Sequence, residues 1–454
     1  MNGRATGRSA RPTHQLAAAQ AGGRVLSLGL QLLHFALLAR WFGPDRFGPF
    51  AAGLALASMA GVVAEFGVPT TMLVERAERR RSVVWSAGLR AVALTAVLGS
   101  SAAAVVALLA LDGEARTAAL VLLAWTVAGR LRAVAVAVRQ ADLAVGRVAG
   151  AEIATRGVAV TAAACGWAFA LEGDARLVAA AGGMAVGEVA GMVVAWPGRP
   201  SSAPWSEVVG LLRRCRHFGL TASVASVHSR IDQVLLDALR VGRGGPYAVA
   251  YRLVDASLAV ATAANALIVP LLARAEDDAR WRLARAATSA AALFALAVGG
   301  AIALAAPGLV AVVGGPGYGD AVPLVRVLAL VLIVAVINVP LLHLVMVAGR
   351  SERLVHINLA MVAVNLGLNL ALLPRWGAEG AAWATLASET MGLVLVAGVA
   401  HRCHPGVLPT LRPWRDLAPL RARPQPQADP SDRETSPSAP AAGVPEQRTG
   451  VAGP

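Results

Sequence analysis

The segment from Ala39 to Phe50 reads Ala-Arg-Trp-Phe-Gly-Pro-Asp-Arg-Phe-Gly-Pro-Phe and separates two long apolar runs. Glycine and proline in this combination indicate a tight turn. Half a chain later, Gly48-Pro49-Phe50 has a counterpart in Gly245-Pro246-Tyr247, which again lies between two apolar runs. A corner that recurs in this way predicts two copies of one architecture.

The composition is typical of an integral membrane protein. Of the 454 residues, 56% are hydrophobic and only 15% are charged, and the mean hydropathy is +0.60. A soluble protein carries roughly a quarter charged residues. Here the charges cluster between apolar runs of about 20 residues, a length that crosses a bilayer as a helix. Barrel strands would be about 10 residues long and would alternate in polarity. The sequence therefore predicts an all-α polytopic membrane protein.

Several classes of function are excluded by residue usage. The net charge of +14 is explained by arginines at helix ends, and no basic run carries the interleaved aromatics of a nucleic-acid groove. All 41 basic residues are arginine, which excludes a Walker-type phosphate loop and a Schiff-base lysine. His401, Cys403 and His404 are too few ligands for a closed zinc site. We expect no catalytic residue, no metal and no cofactor.

Twelve apolar runs predict about twelve transmembrane helices, and the arginines predict their orientation. Every second loop is richer in arginine, as in 76–81, 139–147 and 213–216, while the intervening loops hold two at most and the glycine-rich loop 307–320 holds none. Positively charged loops remain in the cytoplasm, so we expect both termini to be cytoplasmic in a multi-pass protein of the cell membrane. The expected units are a cytoplasmic tail, 1–15; a six-helix bundle, 16–196; a cytoplasmic linker, 197–216; a second six-helix bundle, 217–400; and a disordered Pro/Arg-rich cytoplasmic tail, 401–454.

A second pair of matching segments supports the repeat. Glu188-Val-Ala-Gly191 lies in the sixth span and Glu389-Thr-Met-Gly392 in the twelfth. With six spans in each half, both halves begin on the same side of the membrane, so the two bundles are parallel. Parallel halves typically place the substrate site between them.

Charged side chains inside the spans are the candidates for function, because such groups usually face a partner or a water-filled cavity. Guanidinium groups hold phosphate through paired hydrogen bonds, so a cationic cavity would suit an anionic head group whose lipid tail stays in the bilayer. The arginines predicted to line this cavity are Arg24, Arg156, Arg230 and Arg252. The carboxylates that are candidates for ion pairing or cation coupling are Glu65, Glu188, Asp232, Asp255 and Glu389.

Structural roles are the alternative for several of these groups. Arg252 and Asp255 are three residues apart on one helical face, so they can neutralise one another. Arg230 and Asp232 are two apart and point to different faces, which favours partners on other helices. Glu188, like its counterpart in the second half, can serve as a tie between helices.

The stretch Leu37–Gly48 resembles the first hairpin of polysaccharide transporters, the lipid-linked oligosaccharide flippases of the multidrug/oligosaccharidyl-lipid/polysaccharide exporter superfamily. Its pattern is an apolar residue, Gly-Pro, two variable residues, an aromatic residue and Gly, with Phe42 in place of the more usual leucine. The segments 232–236 and 245–253 are similar to the seventh and eighth spans of that family. The resemblance covers about residues 16–400.

This resemblance implies two six-helix bundles in a V shape that open alternately to each side of the membrane. The implied activity is transfer of an undecaprenyl-diphosphate-linked glycan from the cytoplasmic to the outer leaflet. Its partners would be that lipid-linked glycan, membrane lipids, and a polysaccharide polymerase or glycosyltransferases.

Two other functions remain open. A cation-coupled multidrug antiporter of the same superfamily would use a buried carboxylate, with Glu65, Asp232 and Asp255 as candidates, but the first span has no acidic residue. A membrane glycan-assembly enzyme would need a large extracytoplasmic loop, and every such loop here is short. The arginines favour the flippase.

Replacing Arg24, Arg230 or Arg252 by Ala is expected to abolish flipping without removing the protein from the membrane. The change deletes a phosphate-binding guanidinium and leaves the apolar spans intact. Transport of lipid-linked glycan into vesicles, with membrane content measured in parallel, checks this. Normal transport by all three variants would exclude the cationic cavity.

Overall fold

A computed structural model describes residues 13–79, 83–199, 202–265, 271–272, 275–408, 410 and 416–417. These residues form helices and short connections without a strand, so the predicted all-α class is confirmed. The helices are α1 Thr13–Glu65, α2 Val68–Arg79, α3 Val83–Ala110, α4 Gly113–Ala141, α5 Val145–Ala168, α6 Gly173–Ala195, α7 Trp205–His228, α8 Ile231–Ala238, α9 Gly244–Asn265, α10 Asp277–Val313, α11 Ala321–Val347 and α12 Ser351–Cys403, followed by a 3-10 turn, Pro405–Val407.

The first corner divides α1 into two limbs. The backbone leaves the helical conformation at Gly43, where φ is 74° and ψ is 166°, a region that glycine enters without a steric penalty. The limbs fold back on each other, because the rings of Phe35 and Phe47 lie 5.1 Å apart in an edge-to-face contact. The predicted turn between the first two spans is thus a helical hairpin.

The last long helix repeats this arrangement. In α12 the backbone turns at Gly377, with φ at 59° and ψ at −141°. Across the two limbs, Asn365 Nδ2 donates to Ser388 Oγ over 3.2 Å, and both side chains are fully buried. The first and the last of the twelve helices are therefore both glycine-kinked hairpins.

The number of membrane crossings agrees with the predicted twelve. Eight stretches among the described residues are long and apolar enough to cross a membrane, and two of them, in α1 and α12, exceed 50 residues and cross twice. α7 with α8, and α9, occupy the places of the seventh and eighth predicted spans, but they are not among these eight stretches. The protein is a multi-pass membrane protein.

One predicted boundary differs from the structure. The segment 197–216 was expected to be a linker, but α7 begins inside it at Trp205. Val208, Leu211 and Cys215 are fully buried against residues of the first bundle. An apolar face at helical spacing in a polar segment therefore extends α7 along the first bundle.

The tail also begins as ordered structure, although disorder was predicted from residue 401. Val407 is fully buried against α10, α11 and α12, and the His404 ring stacks on Trp281 at 5.2 Å. Asp416 accepts from Ser289 Oγ over 3.0 Å and lies 3.3 Å from Arg285 Nε. These contacts dock the first part of the tail on α10. The prediction for the rest of the tail lies outside the described residues.

The two corners that match in sequence also touch in space. A β-carbon built on Gly48 would lie 2.9 Å from the Gly245 nitrogen, and one built on Gly245 would lie 2.1 Å from the Pro44 oxygen. Nearby, the Tyr318 hydroxyl donates to the Ala39 carbonyl over 2.8 Å. We call this side of the molecule the corner end. Here the two halves are closed against each other.

Replacing Gly245 by Ala is expected to destabilise the corner end, because the new methyl group overlaps the Pro44 carbonyl. Overpacking of this kind costs about 1–3 kcal/mol. Gly300→Ala in α10 is the matched control, since nothing lies within 4 Å of a β-carbon built at that position. Thermal unfolding of the detergent-purified protein measures both. Equal unfolding temperatures for the two variants would contradict the close contact.

Candidate functional site

A cavity of about 350 Å³ lies between α1, α4 and α5. Its lining includes Gln140 in the last turn of α4 and Leu143 in the turn between α4 and α5, so the cavity is at the end opposite the corners. Polar groups also reach it from the first limb of α1, through Ser27 and Gln31, and from α5, through Arg156. A second cavity, of about 590 Å³, lies at the corner end itself.

A smaller recess of about 40 Å³ continues toward the second bundle. It shares Leu28 and Gln31 with the larger cavity and is lined on its far side by Arg252 and Asp255 of α9. The first limb of α1 therefore lies between Arg156 of the first bundle and Arg252 of the second. Arg156 thus lines a cavity among helices of the first bundle, and Arg252 lines the recess between α1 and α9.

Two of the predicted arginines share one carboxylate. Arg252 Nη1 lies 3.4 Å from Asp255 Oδ2, as the spacing of three residues predicts, and Arg230 Nη2 lies 3.7 Å from the same oxygen. Arg230 stands in the break between α7 and α8, from which it reaches α9. The guanidinium of Arg252 also lies over the Phe35 ring at 5.2 Å. The single carboxylate of Asp255 is thus shared by two guanidinium groups.

Arg156 adds a third positive charge to this region. It makes no ion pair within the described part of the chain, and its buried Nε has no hydrogen-bond partner there. Arg156 and Arg252 act electrostatically on each other and on His34, which is buried between them with its Nε2 unpartnered. Guanidinium groups from both halves therefore converge around His34.

The fourth predicted arginine, Arg24, belongs to α1 beside Gly23, a residue that lines the larger cavity. Its side chain lies outside the described residues. The structure thus brings Arg156, Arg230 and Arg252 together, and the prediction for Arg24 stays a prediction.

Four of the five predicted carboxylates lie away from this cavity and are bound to other side chains. Glu65 accepts from Arg130. Glu188 Oε2 accepts from Arg132 Nε over 2.5 Å. Glu389 lies 3.1 Å from His228 Nε2, and the buried Asp232 accepts from the Tyr247 hydroxyl. Only Asp255, of the five, lines the space beside the arginines. The equivalent residues Glu188 and Glu389 each tie two helices of their own bundle.

Sequence reasoning missed the basic residues that hold these carboxylates. Arg130 and Arg132 follow Gly129 in the middle of the fourth span. The cost of placing a charge in an apolar run, which singled out the other arginines, applies equally to these. Their partners were not readable, because the residues that pair are far apart along the chain.

An ion pair also bridges the two halves at the corner end. Arg240 Nη2, between α8 and α9, lies 2.6 Å from Asp112 Oδ2, between α3 and α4. The hydrogen bond and charge of Arg240 lower the pKa of Asp112, and Asp112 in turn raises the pKa of Arg240. Both groups are exposed, so water and salt can reach this contact.

The family model described as "Polysaccharide biosynthesis protein" matches residues 37–323, which is more than half of the chain. The chain belongs to this family. The match includes both corners and the arginines Arg156, Arg230 and Arg252. No curated protein matches the sequence at a significant level.

Solved structures with the same fold come from the MOP superfamily. An inward-facing MATE multidrug resistance transporter is similar at a TM-score of 0.66 and 15% identity, covering 83% of this chain and 95% of its own. The lipid II flippase MurJ, in an inward closed conformation, gives 0.67 and 12%, covering 84% and 86%. A MOP transporter from Pyrococcus furiosus gives 0.59 and 13%, covering 86% and 96%. This polysaccharide biosynthesis protein has the same fold as these transporters, which agrees with the predicted V-shaped pair of helical bundles.

The ion pair at the corner end is expected to respond to acid. The pKa of Asp112 is lowered, so its contribution to closure is complete above the ordinary value of about 4 and is lost as pH falls through the lowered value. Spin labels on Glu172→Cys and Trp376→Cys, in a chain without other cysteines, report the separation of the halves. We expect this distance to lengthen only at acid pH, and Asp112→Asn to remove most of the dependence. If the distance in Asp112→Asn depends on pH as it does in the native chain, the ion pair of Asp112 does not hold the two halves together.

Proposed function

We propose that this protein is an alternating-access flippase that carries a lipid-diphosphate-linked oligosaccharide from the inner to the outer leaflet of the bacterial cytoplasmic membrane. The observation that carries the proposal is the convergence of Arg156 from the first half with Arg230 and Arg252 from the second, where Arg230 and Arg252 share one carboxylate, Asp255. The family match to polysaccharide biosynthesis proteins supports a glycan precursor as the substrate class.

The charge balance between the halves favours an anionic substrate. Arg230 and Arg252 share one carboxylate, Asp255, and Arg156 makes no contact ion pair among the described residues. Unpaired charge in a low-dielectric interior is costly unless a partner arrives. A diphosphate supplies several acceptor oxygens for the donor groups of Arg156 and Arg252 that lack partners, and its geometry matches the guanidinium fork.

The direction of opening agrees with loading from the cytoplasm. The cavity is at the end opposite the corners, where the loops that are rich in arginine lie. By the positive-inside rule these loops face the cytoplasm in the proposed orientation, so a substrate would enter this cavity from the cytoplasmic side. Contacts at the corner end, including Arg40 Nη2 to the Val312 carbonyl at 2.5 Å, would have to separate before release to the outer leaflet.

Energy coupling and partner enzymes complete the proposed transport cycle. The buried carboxylates of the second bundle, Asp232 and Glu389, are the candidates for coupling to an ion gradient. The enzymes that would supply and consume the substrate are glycosyltransferases and a polysaccharide polymerase. A cation-coupled drug antiporter fits less well, because the two carboxylates that line the cavity and its recess, Glu152 and Asp255, are already paired with arginines.

Reconstitution tests the substrate class. Proteoliposomes would contain a fluorescent short-chain polyprenyl-diphosphate sugar, and a membrane-impermeant quencher would report its transfer between leaflets. We expect transfer by the native chain and a decrease of about tenfold or more in Arg252→Gln, since a hydrogen bond to a charged group contributes about 1.5–3 kcal/mol. The exposed Arg147→Gln is the matched control and should transfer normally. Exchange of an organic cation in the same vesicles, with no transfer of the lipid, would overturn the proposal in favour of the antiporter.

A further inference from the structure

The first bundle contains an ion pair that its spacing predicts but that does not form. Glu152 and Arg156 are four residues apart on α5, with the acid on the N-terminal side, which is the favourable arrangement for a helical ion pair. Instead, Glu152 Oε1 accepts from Arg132 Nη1 of α4 over 2.7 Å. Arg156, which lines the same cavity as Glu152, has no ion pair in the described part of the chain.

Arg132 is held in place by a second carboxylate. Its Nε donates to Glu188 Oε2 on α6 over 2.5 Å, while Glu188 Oε1 accepts from Trp125 Nε1 over 3.1 Å. The Glu188 side chain is 4% exposed and that of Arg132 is 11% exposed. The arginine fork therefore binds one carboxylate on α5 and one on α6 through separate N–H groups.

Two glycines leave space for this arrangement. A β-carbon built on Gly191 would lie 2.8 Å from Arg132 Cδ, and one built on Gly129 would lie 3.3 Å from Glu188 Cδ. The close packing of α4 and α6 thus accommodates the Arg132–Glu188 pair in particular. Lysine at position 132 would lack the planar fork that reaches both carboxylates.

We propose that Arg132 is a positioning residue of the substrate cavity, which holds Glu152 away from Arg156 and so keeps the Arg156 guanidinium available to an anionic ligand. This rests on the proposed function, in which that ligand is a diphosphate. Arg132 itself does not contact the ligand.

The charges of the group explain how an unpaired guanidinium is tolerated. Arg132 and Arg156 are balanced by Glu152 and Glu188, and both carboxylates act electrostatically on Arg156 without contacting it. The positive charge of Arg156 is thereby compensated at a distance, while its N–H donors are left without an acceptor. A phosphate oxygen entering the cavity would complete these hydrogen bonds without displacing a carboxylate.

Chemical labelling of Arg156 tests the proposal without any substrate. Phenylglyoxal modifies guanidinium groups that are not engaged by a carboxylate, and mass spectrometry of the full-length purified protein quantifies it at each arginine. Arg147, which is exposed and has no ion pair among the described residues, is the internal reference. The starting variant is Glu188→Gln, so that removal of Arg132 leaves no uncompensated buried acid.

We expect Arg156 in Glu188→Gln to react as in the native chain. Adding Arg132→Gln releases Glu152 to pair with Arg156, and labelling should fall about fivefold or more, as a contact ion pair forms at the favourable spacing. Adding Glu152→Gln as a third change should restore the labelling. Loss of labelling that the third change does not restore would mean that Arg132 acts only on the fold, and undiminished labelling without Arg132 would likewise overturn the proposal.

Binding of farnesyl diphosphate to the same variants, measured by titration calorimetry in detergent, separates the two proposals. If the affinity for farnesyl diphosphate falls with Arg132→Gln and returns with Glu152→Gln, both the positioning role of Arg132 and the diphosphate assignment are supported. If labelling follows the expected order but no variant binds farnesyl diphosphate, the positioning role of Arg132 stands for an unidentified anion and the diphosphate assignment fails. If affinity is the same in all variants, the proposed link between Arg132 and the ligand is wrong.

Discussion

The close approach of Gly48 and Gly245 is the constraint on which the rest of the structure depends. The absence of side chains at these positions lets the two corners meet backbone to backbone, and so the two bundles converge at one end and diverge at the other. A V-shaped molecule with a cavity at its open end follows from this contact. The aromatic rings around the corners, Phe47, Phe50 and Tyr318, are fully buried, so the closed end is also a packed core.

The charged side chains at the open end then determine which ligand can bind there. Among the described charged side chains that line the cavity in the first bundle, Glu152 is engaged in a contact ion pair and Arg156 is not, and in the second bundle Asp255 is shared between two arginines. The unfilled buried N–H donors of residues that line the cavity and its recess, Arg156 Nε and Arg252 Nε, belong to arginines. A site of this kind favours an anion because its arginine N–H donors lack acceptors, as much as because it carries several positive charges.

Much of the architecture was predictable from local sequence. The lengths of the apolar runs, the glycine-proline corners and the two glutamates at 188 and 389 indicated twelve crossings in two similar halves, which the fold agrees with. The predictions failed where a polar segment carries an apolar face. This is why the start of α7 at Trp205 and the docking of Val407 were missed: both are stabilised by burial against distant helices.

The sequence by itself determined the class of protein, because hydrophobic length and periodicity are properties of each span and need no partner. It also identified arginines in the spans as the functional candidates, since the cost of an intramembrane charge is local. Only the tertiary structure decided which of these arginines lack a contact ion pair. Arg252 shares Asp255 with Arg230, and Arg156 is left open because Arg132 takes its neighbour Glu152. Which side chains form ion pairs depends on the distances between groups on different helices. Those distances are set only when the helices have packed.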